Sequence, residues 1–250
     1  MKVLLVFRGG YSKIDPILLS KNINDKVFKP LTENKIEYST VLYTYPTDLE
    51  KLNSLKDTLN ASEVNYTQDG QIINFKEAVK DITARYNTFD YIIFLRFEIV
   101  YKLDIMKWNI FTQSGVIFPF KENCFTLFTS TNQYSDIIIC ISKEYLNPLL
   151  SVLDQADMCE YTNTNTLHNL GTIINRHDYD IPVLYMLEGY YQSNTSLEAN
   201  DERLNPMFIM SHYRYNGRDR NDFIEYLPAD QDTYPTSYQP KYKSIFQTLR

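Results

Sequence analysis

The chain has 250 residues, 44% of them hydrophobic and 22% charged, which suits a folded protein able to bury a substantial core. Its 31 acidic and 25 basic residues leave a formal charge of −6, which argues against a general nucleic-acid binder, because that function needs a basic surface. Only 7 glycines are present, and neither GxGxxG nor GxxxxGK[ST] occurs, so glycine-loop phosphate binding is disfavoured. In chain order, Lys2-Val3-Leu4-Leu5-Val6-Phe7 is a continuous apolar, β-rich run that stops at Arg8-Gly9-Gly10. It reads as a strand buried on both faces of a parallel sheet. Asp15 and Pro16 read as an N-cap and first helical turn, with helical spacing carried to about Asn34. Thr40–Tyr43 reads as a second strand, stopped by Pro46. Thr47 or Asp48 then caps a helix with Leu49, Leu52, Leu55 and Leu59 on one stripe.

Glu63–Tyr66 is a third short strand, and a helix beginning at Asn74 places Phe75, Ala78, Val79, Ile82 and Tyr86 on one face. Asp90–Leu95 is another buried strand, ending at Arg96-Phe97-Glu98. This strand–helix alternation predicts right-handed crossovers and a mostly parallel sheet flanked by helices. The second half reads differently. Gly115–Phe120 and Cys124–Phe128 suggest a hairpin, a small antiparallel element. Asp136–Ile141 is a strand, Lys143 to about Met158 and Thr164–Arg176 are helical, and Ile181–Leu187 is a late strand. From Asn194 the chain is polar, with Pro206, Pro228, Pro235 and Pro240, and reads as an extended wrap. No linker-like stretch divides the chain. The expectation is one α/β domain: a nucleotide-binding half over 1–110, an acceptor half over 111–193 and the wrap over 194–250.

The odd, unclustered set Cys124, Cys140 and Cys159 is neither a disulfide framework nor a zinc site, and points to a reducing, cytoplasmic compartment. The polar turn at Arg8 leaves no room for a secretory leader's apolar core. Apolar runs fall well short of the roughly 20 residues of a membrane span.

Ligands of open α/β sheets bind outside the carboxyl ends of the strands. Three early strands end in polar residues, and in a parallel sheet these ends share an edge. Arg8 offers a guanidinium for phosphate, and Gly9 and Gly10 let backbone approach a ligand. Tyr43, Thr44 and Tyr45 offer hydroxyls and ring faces for a nucleobase. Arg96 and Glu98 place a cation and a carboxylate two residues apart in extended chain. A carboxylate there suits a hard divalent ion bridging a diphosphate. Each feature also has a plain structural reading. Arg8 can end a strand in solvent, Tyr43 and Tyr45 can pack in a chain with 21 tyrosines, and Arg96 with Glu98 can be an ion pair without a ligand.

The N-terminal Lys2–Gly9, the Tyr43-Thr44-Tyr45 segment and the strand Phe89–Glu98 together resemble small GT-A-type glycosyltransferases. The nearest resemblance is to those of large DNA viruses and microbial polysaccharide clusters. Asp136–Ser142 is similar to a later strand of these proteins, and the likeness runs over roughly residues 1–190. It implies a GT-A-like fold and a transferase that moves a sugar from a UDP- or GDP-sugar donor to a glycan acceptor. It also implies a divalent metal, Mn²⁺ or Mg²⁺, held by an Asp-x-Asp motif. Here that position reads Arg96-Phe97-Glu98, which puts metal dependence in doubt. Arg96 can then meet the diphosphate directly, leaving Glu98 for a metal or a sugar hydroxyl.

His212 is the candidate second metal ligand, by analogy with a histidine of the family's C-terminal third. His168 reads as core and His177 as a helix C-terminal residue. The literal Asp178-Tyr179-Asp180 precedes a late strand and is assigned a capping or loop role. Transfer with inversion needs a carboxylate within reach of the acceptor hydroxyl. Glu188 and Asp136 are the candidate catalytic residues, with Asp157 a further carboxylate, and Glu188 leads into Tyr190-Tyr191, which suit an acceptor sugar. The rival readings are a non-catalytic nucleotide-sugar or glycan-binding module on the same fold, and an unrelated nucleotide-handling α/β enzyme.

Overall fold

The computed structural model describes residues 1–11, 16–45, 48–67, 71–97, 99–122, 134–155, 167, 170–176, 180–187, 190–191 and 207–210. Strand β1 (Lys2–Arg8) leads into helix α1 (Pro16–Ile23), a π-helical turn (Asn24–Phe28) and α2 (Lys29–Glu33). Then follow β2 (Glu37–Thr44), α3 (Leu49–Thr58), β3 (Ala61–Tyr66), α4 (Gln71–Arg85) and β4 (Tyr91–Arg96). The alternation read from the sequence is present, with each strand parallel to its neighbour in the order β3-β2-β1-β4. Asp48 caps α3, its Oδ1 accepting from Lys51 N–H at 3.0 Å. Helix α4 starts three residues earlier than its apolar stripe suggests. Asn74 lies within the helix and is buried, so it does not begin it.

Beyond β4 the regular strand–helix alternation ends. Short β5 (Ile99–Tyr101), β6 (Val116–Phe118) and β7 (Lys121–Glu122) precede β8 (Ile138–Ser142) and α5 (Leu146–Gln155). Then come α6 (Leu170–Arg176), β9 (Val183–Tyr185), β10 (Tyr190–Tyr191) and β11 (Phe208–Met210). The main sheet runs β3-β2-β1-β4-β8-β6-β9. Strand β8 is antiparallel to both β4 and β6, while β9 is parallel to β6. An antiparallel element therefore lies inside the main sheet, at β8. Strand β6 pairs with β8 and β9, and Cys124–Phe128 lies outside the described residues. Two small pairs stand apart: β10 runs parallel to β7, and β11 antiparallel to β5. Part of the proline-rich C-terminal segment thus returns to the body of the chain. The late strand read as Ile181–Leu187 forms a ladder over Val183–Tyr185, and backbone hydrogen bonds joining Pro182, Met186 and Leu187 to the β6 segment extend it on both sides.

Sheet strands read as unbroken apolar runs because both faces are covered. Val3, Leu5, Phe7, Ile93 and Leu95 face a layer containing Leu19, Ile23, Leu31, Leu52 and Trp108. Leu4, Val6, Ile92 and Phe94 face a second layer with Phe75, Val79 and Ile82 of α4 and Leu149 and Val152 of α5. Cys140, at the centre of β8, is buried opposite Ile93 on one side and Ile117 on the other. Two glycines are fixed by close approach. A Cβ at Gly115 would lie 2.5 Å from the Pro182 carbonyl oxygen, and one at Gly171 would lie 2.6 Å from the Tyr134 ring. No helix among the described residues is long and apolar enough to cross a membrane.

Candidate functional site

The carboxyl ends of β1, β2, β3 and β4 share one edge because the four strands are parallel and in close register. Arg8 stands opposite Tyr43 of β2 and opposite Arg96 of β4. Arg8 continues the parity of Leu4 and Val6, so its side chain goes to the α4 face. There its guanidinium carbon sits 5.8 Å from the centre of the Phe75 ring, a cation–π distance. It is 2% exposed, which rules out a strand end in solvent.

Asp136, just before β8, reaches the same place from the other half of the chain. Arg8 Nη2 donates to the Asp136 backbone oxygen at 2.6 Å. The Asp136 carboxylate, with no exposure, lies 3.7 Å from Arg8 and 3.6 Å from Arg96. Two cations from adjacent strands thus flank one buried carboxylate. Arg96 is 18% exposed, so of the three it is the group that reaches the surface. This setting changes the reading of Asp136. A general base must approach an acceptor hydroxyl, whereas this carboxylate is enclosed between guanidiniums and serves as their counter-ion.

The chain turns at Gly9 with φ of +95°, in the region that favours glycine, and nothing among the described residues lies within 4 Å of where a Cβ would be. Thr44 Oγ1 donates to the Gly9 carbonyl at 2.7 Å, and Gly9 N–H donates to the Tyr43 carbonyl at 3.2 Å. These bonds hold the β1 end against β2. The half-buried Tyr45 covers Gly10, its hydroxyl 3.2 Å from where a Gly10 Cβ would stand. Tyr11 locks the next turn, its hydroxyl accepting from Asp48 N–H at 2.9 Å.

Tyr43 is a correction. Its parity matches Val41, and its ring is buried in the α4 layer with its hydroxyl donating to Asp81. Burial, and then the Asp81 carboxylate, push its pKa well above the usual tyrosine value. A ring so enclosed offers no face for a nucleobase. Arg85 ties Asp81 and Glu63 together outside it, at 2.8 Å and 2.6 Å.

Sequence reading missed Asn74. It is 1% exposed, its Nδ2 donates to Thr67 Oγ1, and its Oδ1 is buried with no hydrogen-bond partner among the described residues. Thr67 N–H in turn donates to the Thr44 carbonyl at 2.9 Å, so this acceptor belongs to the same edge. A signal was present: Asn74 is four residues before Ala78, a polar side chain on the apolar stripe of α4. A second missed feature lies by β6 and β9. Tyr134 and Tyr185 stack at 5.8 Å with ring planes 3° apart, and Lys121 Nζ stands 5.3 Å from the Tyr185 ring centre.

Glu98, Glu188 and His212 lie outside the described residues, as do Asp157, His168, His177, Asp178 and Tyr179. Asp180 is exposed. Among the described residues no group of three or more His, Cys, Asp or Glu side chains is placed to hold a metal ion. The buried carboxylate at this edge faces two cations, a poor setting for a hard divalent ion that needs several oxygen ligands.

No protein-family model matches the chain. No curated protein matches it either. Among solved structures, a 4-diphosphocytidyl-2C-methyl-D-erythritol synthase from Anaerococcus prevotii DSM 20548 superposes with a TM-score of 0.50 at 9% identity. That match covers 76% of this chain and 90% of the synthase. A protein described as a nucleotide-diphospho-sugar transferase, from Desulfovibrio desulfuricans G20, aligns with a TM-score of 0.46 at 14% identity, over 76% of this chain and 80% of its own. At such identity the likeness to the synthase shows a shared fold: a mixed α/β chain with a central, mostly parallel sheet flanked by helices.

Proposed function

We propose that this chain is a GT-A-like glycosyltransferase that takes a sugar from a UDP- or GDP-sugar and delivers it to a glycan acceptor. The observation that carries the reading is the carboxyl edge of the sheet. There Arg8 and Arg96, on adjacent parallel strands, share Asp136 beside the open backbone turn at Gly9. Anionic ligands favour such an edge, because guanidinium pairs with phosphate oxygens in fixed geometry. The resemblance of Lys2–Gly9 and Phe89–Glu98 to GT-A-type enzymes supports it, as does the fold shared with a synthase named for a diphosphocytidyl compound.

In this reading Gly9 and Gly10 bring backbone to the nucleotide, Thr44 and Tyr45 shape the pocket wall, and Arg96 meets the diphosphate. Stabilising the departing diphosphate is the main catalytic task, and preorganised cations perform it without reorganisation. Glu188 is the proposed base for the acceptor hydroxyl. The Tyr190-Tyr191 segment, paired with Lys121-Glu122, supplies apolar faces for the acceptor sugar. A divalent ion held by Glu98 and His212 remains part of the family resemblance only, and no step is assigned to it. The sparse cysteines support a cytoplasmic setting, the host cytoplasm for a viral protein.

Calorimetric titration of the full chain with UDP- and GDP-sugars, with and without Mn²⁺, tests the reading. Binding of at least one nucleotide sugar is expected, and binding of none overturns it. The alternative, a non-catalytic binding module, keeps that binding but shows neither transfer nor donor hydrolysis in a product assay.

A further inference from the structure

We infer that Thr44 is a positioning residue: its hydroxyl fixes the direction of the Gly9–Gly10 peptide, and that peptide receives the nucleotide sugar. The inference rests on the proposed nucleotide-sugar reading and adds what sets the shape of its backbone wall. Thr44 is 0% exposed, whereas Gly9 and Gly10 are half-buried. The hydroxyl stands behind the turn, so it acts on a ligand through the turn. Gly9 is gripped at both of its polar groups by adjacent residues of β2. Its N–H donates to the Tyr43 carbonyl at 3.2 Å, and its carbonyl accepts from Thr44 Oγ1 at 2.7 Å. A trans peptide is planar, with its C=O and N–H pointing in opposite directions. Holding the Gly9 carbonyl towards β2 therefore turns the Gly10 N–H away from Thr44.

The φ of +95° at Gly9 admits this arrangement, but two consecutive glycines have little stiffness of their own. Tyr11 closes the far side: its ring is buried, and its hydroxyl accepts from Asp48 N–H at 2.9 Å. Gly10 thus lies between two anchored residues. Thr44 is itself braced, its carbonyl accepting from Thr67 N–H at 2.9 Å while Thr67 Oγ1 accepts from Asn74 Nδ2 on α4. One run of hydrogen bonds therefore joins α4 to the ends of β3, β2 and β1. The β1–β2 ladder already extends to Arg8 opposite Tyr43 without the Thr44 hydroxyl. What the hydroxyl adds is the orientation of the peptide beyond the ladder. A backbone amide held in place before binding spares the ligand the cost of ordering it.

The test compares Thr44→Val, which keeps the shape and loses the hydroxyl, with Thr44→Ser, which keeps the hydroxyl and loses a methyl. Both should lower the midpoint of urea unfolding, one through a lost hydrogen bond and the other through a small cavity. Only Thr44→Val should weaken UDP- or GDP-sugar binding to the full chain, by about tenfold, with Thr44→Ser within about twofold of the parent. Equal loss in the two variants means a packing role and overturns the inference, as does parental affinity in Thr44→Val. A second measurement is spectroscopic. Gly9-Gly10 is the one Gly-Gly pair of the sequence. In protein carrying glycine labelled at both the carbonyl carbon and the amide nitrogen, the Gly10 amide alone couples to a labelled preceding carbonyl. Its signal should move when the nucleotide sugar is added, and should be displaced in unliganded Thr44→Val but lie near the parent's in Thr44→Ser. A Gly10 signal unmoved by a nucleotide sugar that calorimetry shows to bind overturns the inference and leaves the nucleotide-sugar reading standing. Failure of every nucleotide sugar to bind the parent overturns both. If Thr44→Val does not fold, the Gly10 signal of the parent decides alone.

Discussion

The two halves of the main sheet are built on different rules. In the β3-β2-β1-β4 half each strand is parallel to the next, and its crossovers carry helices α1 to α4. In the β8-β6-β9 half the strands are three to five residues long, and β8 runs against both neighbours. The first half is a series of local units that presents strand ends, a glycine turn and two cations on one edge. The second half contributes little backbone to that edge, yet it supplies the Asp136 carboxylate, 128 residues from Arg8. One half displays charge and the other makes that display tolerable.

Asp136→Asn tests this division most severely. It leaves Arg8 and Arg96 facing each other in a buried setting, and a loss of about 3 kcal/mol is expected in urea unfolding. An unchanged midpoint would mean that the halves are held by packing alone. Gly115→Ala strikes the second half without touching charge. The new methyl meets the Pro182 carbonyl at 2.5 Å, a backbone atom that cannot swing aside. The expected cost is about 1–3 kcal/mol by the same measurement, with diphosphate affinity retained in the folded fraction.

Within the first half, Tyr43→Phe removes the hydrogen bond to Asp81 and should cost about 1 kcal/mol at neutral pH. Its pH signature is more telling. The folded pKa of Tyr43 is raised above the unfolded value of about 10, so the unfolded chain loses its proton first as pH rises. The stability this group contributes is complete below about pH 10 and falls above it. The phenylalanine variant should therefore show a shallower alkaline decline than the parent. Equal slopes would place the hydroxyl in water. Asp48→Ala removes the α3 cap and should cost about 1 kcal/mol or less, detectable as a small shift in thermal midpoint.

The first half was legible because its signals are local. The run Lys2–Phe7, the stripe Leu52 and Leu55, and the apolar face of α4 each follow from periodicity over a few turns. Arg8 and Arg96 were found as polar ends of apolar strands, and parallel pairing brought them opposite. The place of β8 was not legible, because Ile138–Ile141 reads equally well in either direction. Nothing local states that it inserts between β4 and β6. The ion pairs of Asp136 were not legible for the same reason: its partners come from β1 and β4. Tyr43 was misread because a strand-end tyrosine looks alike whether its ring faces solvent or, by parity with Val41, a helix.

The position of Cys140 turns the boundary between the halves into something that can be timed. Burial pushes its thiol well above the ordinary cysteine value, so it does not react while β8 remains between β4 and β6. With Cys124 and Cys159 replaced by serine, alkylation under native conditions would proceed only as fast as that central strand opens. The cysteine becomes a clock for the seam, and a bound nucleotide diphosphate that draws on Arg96 should make it run slower.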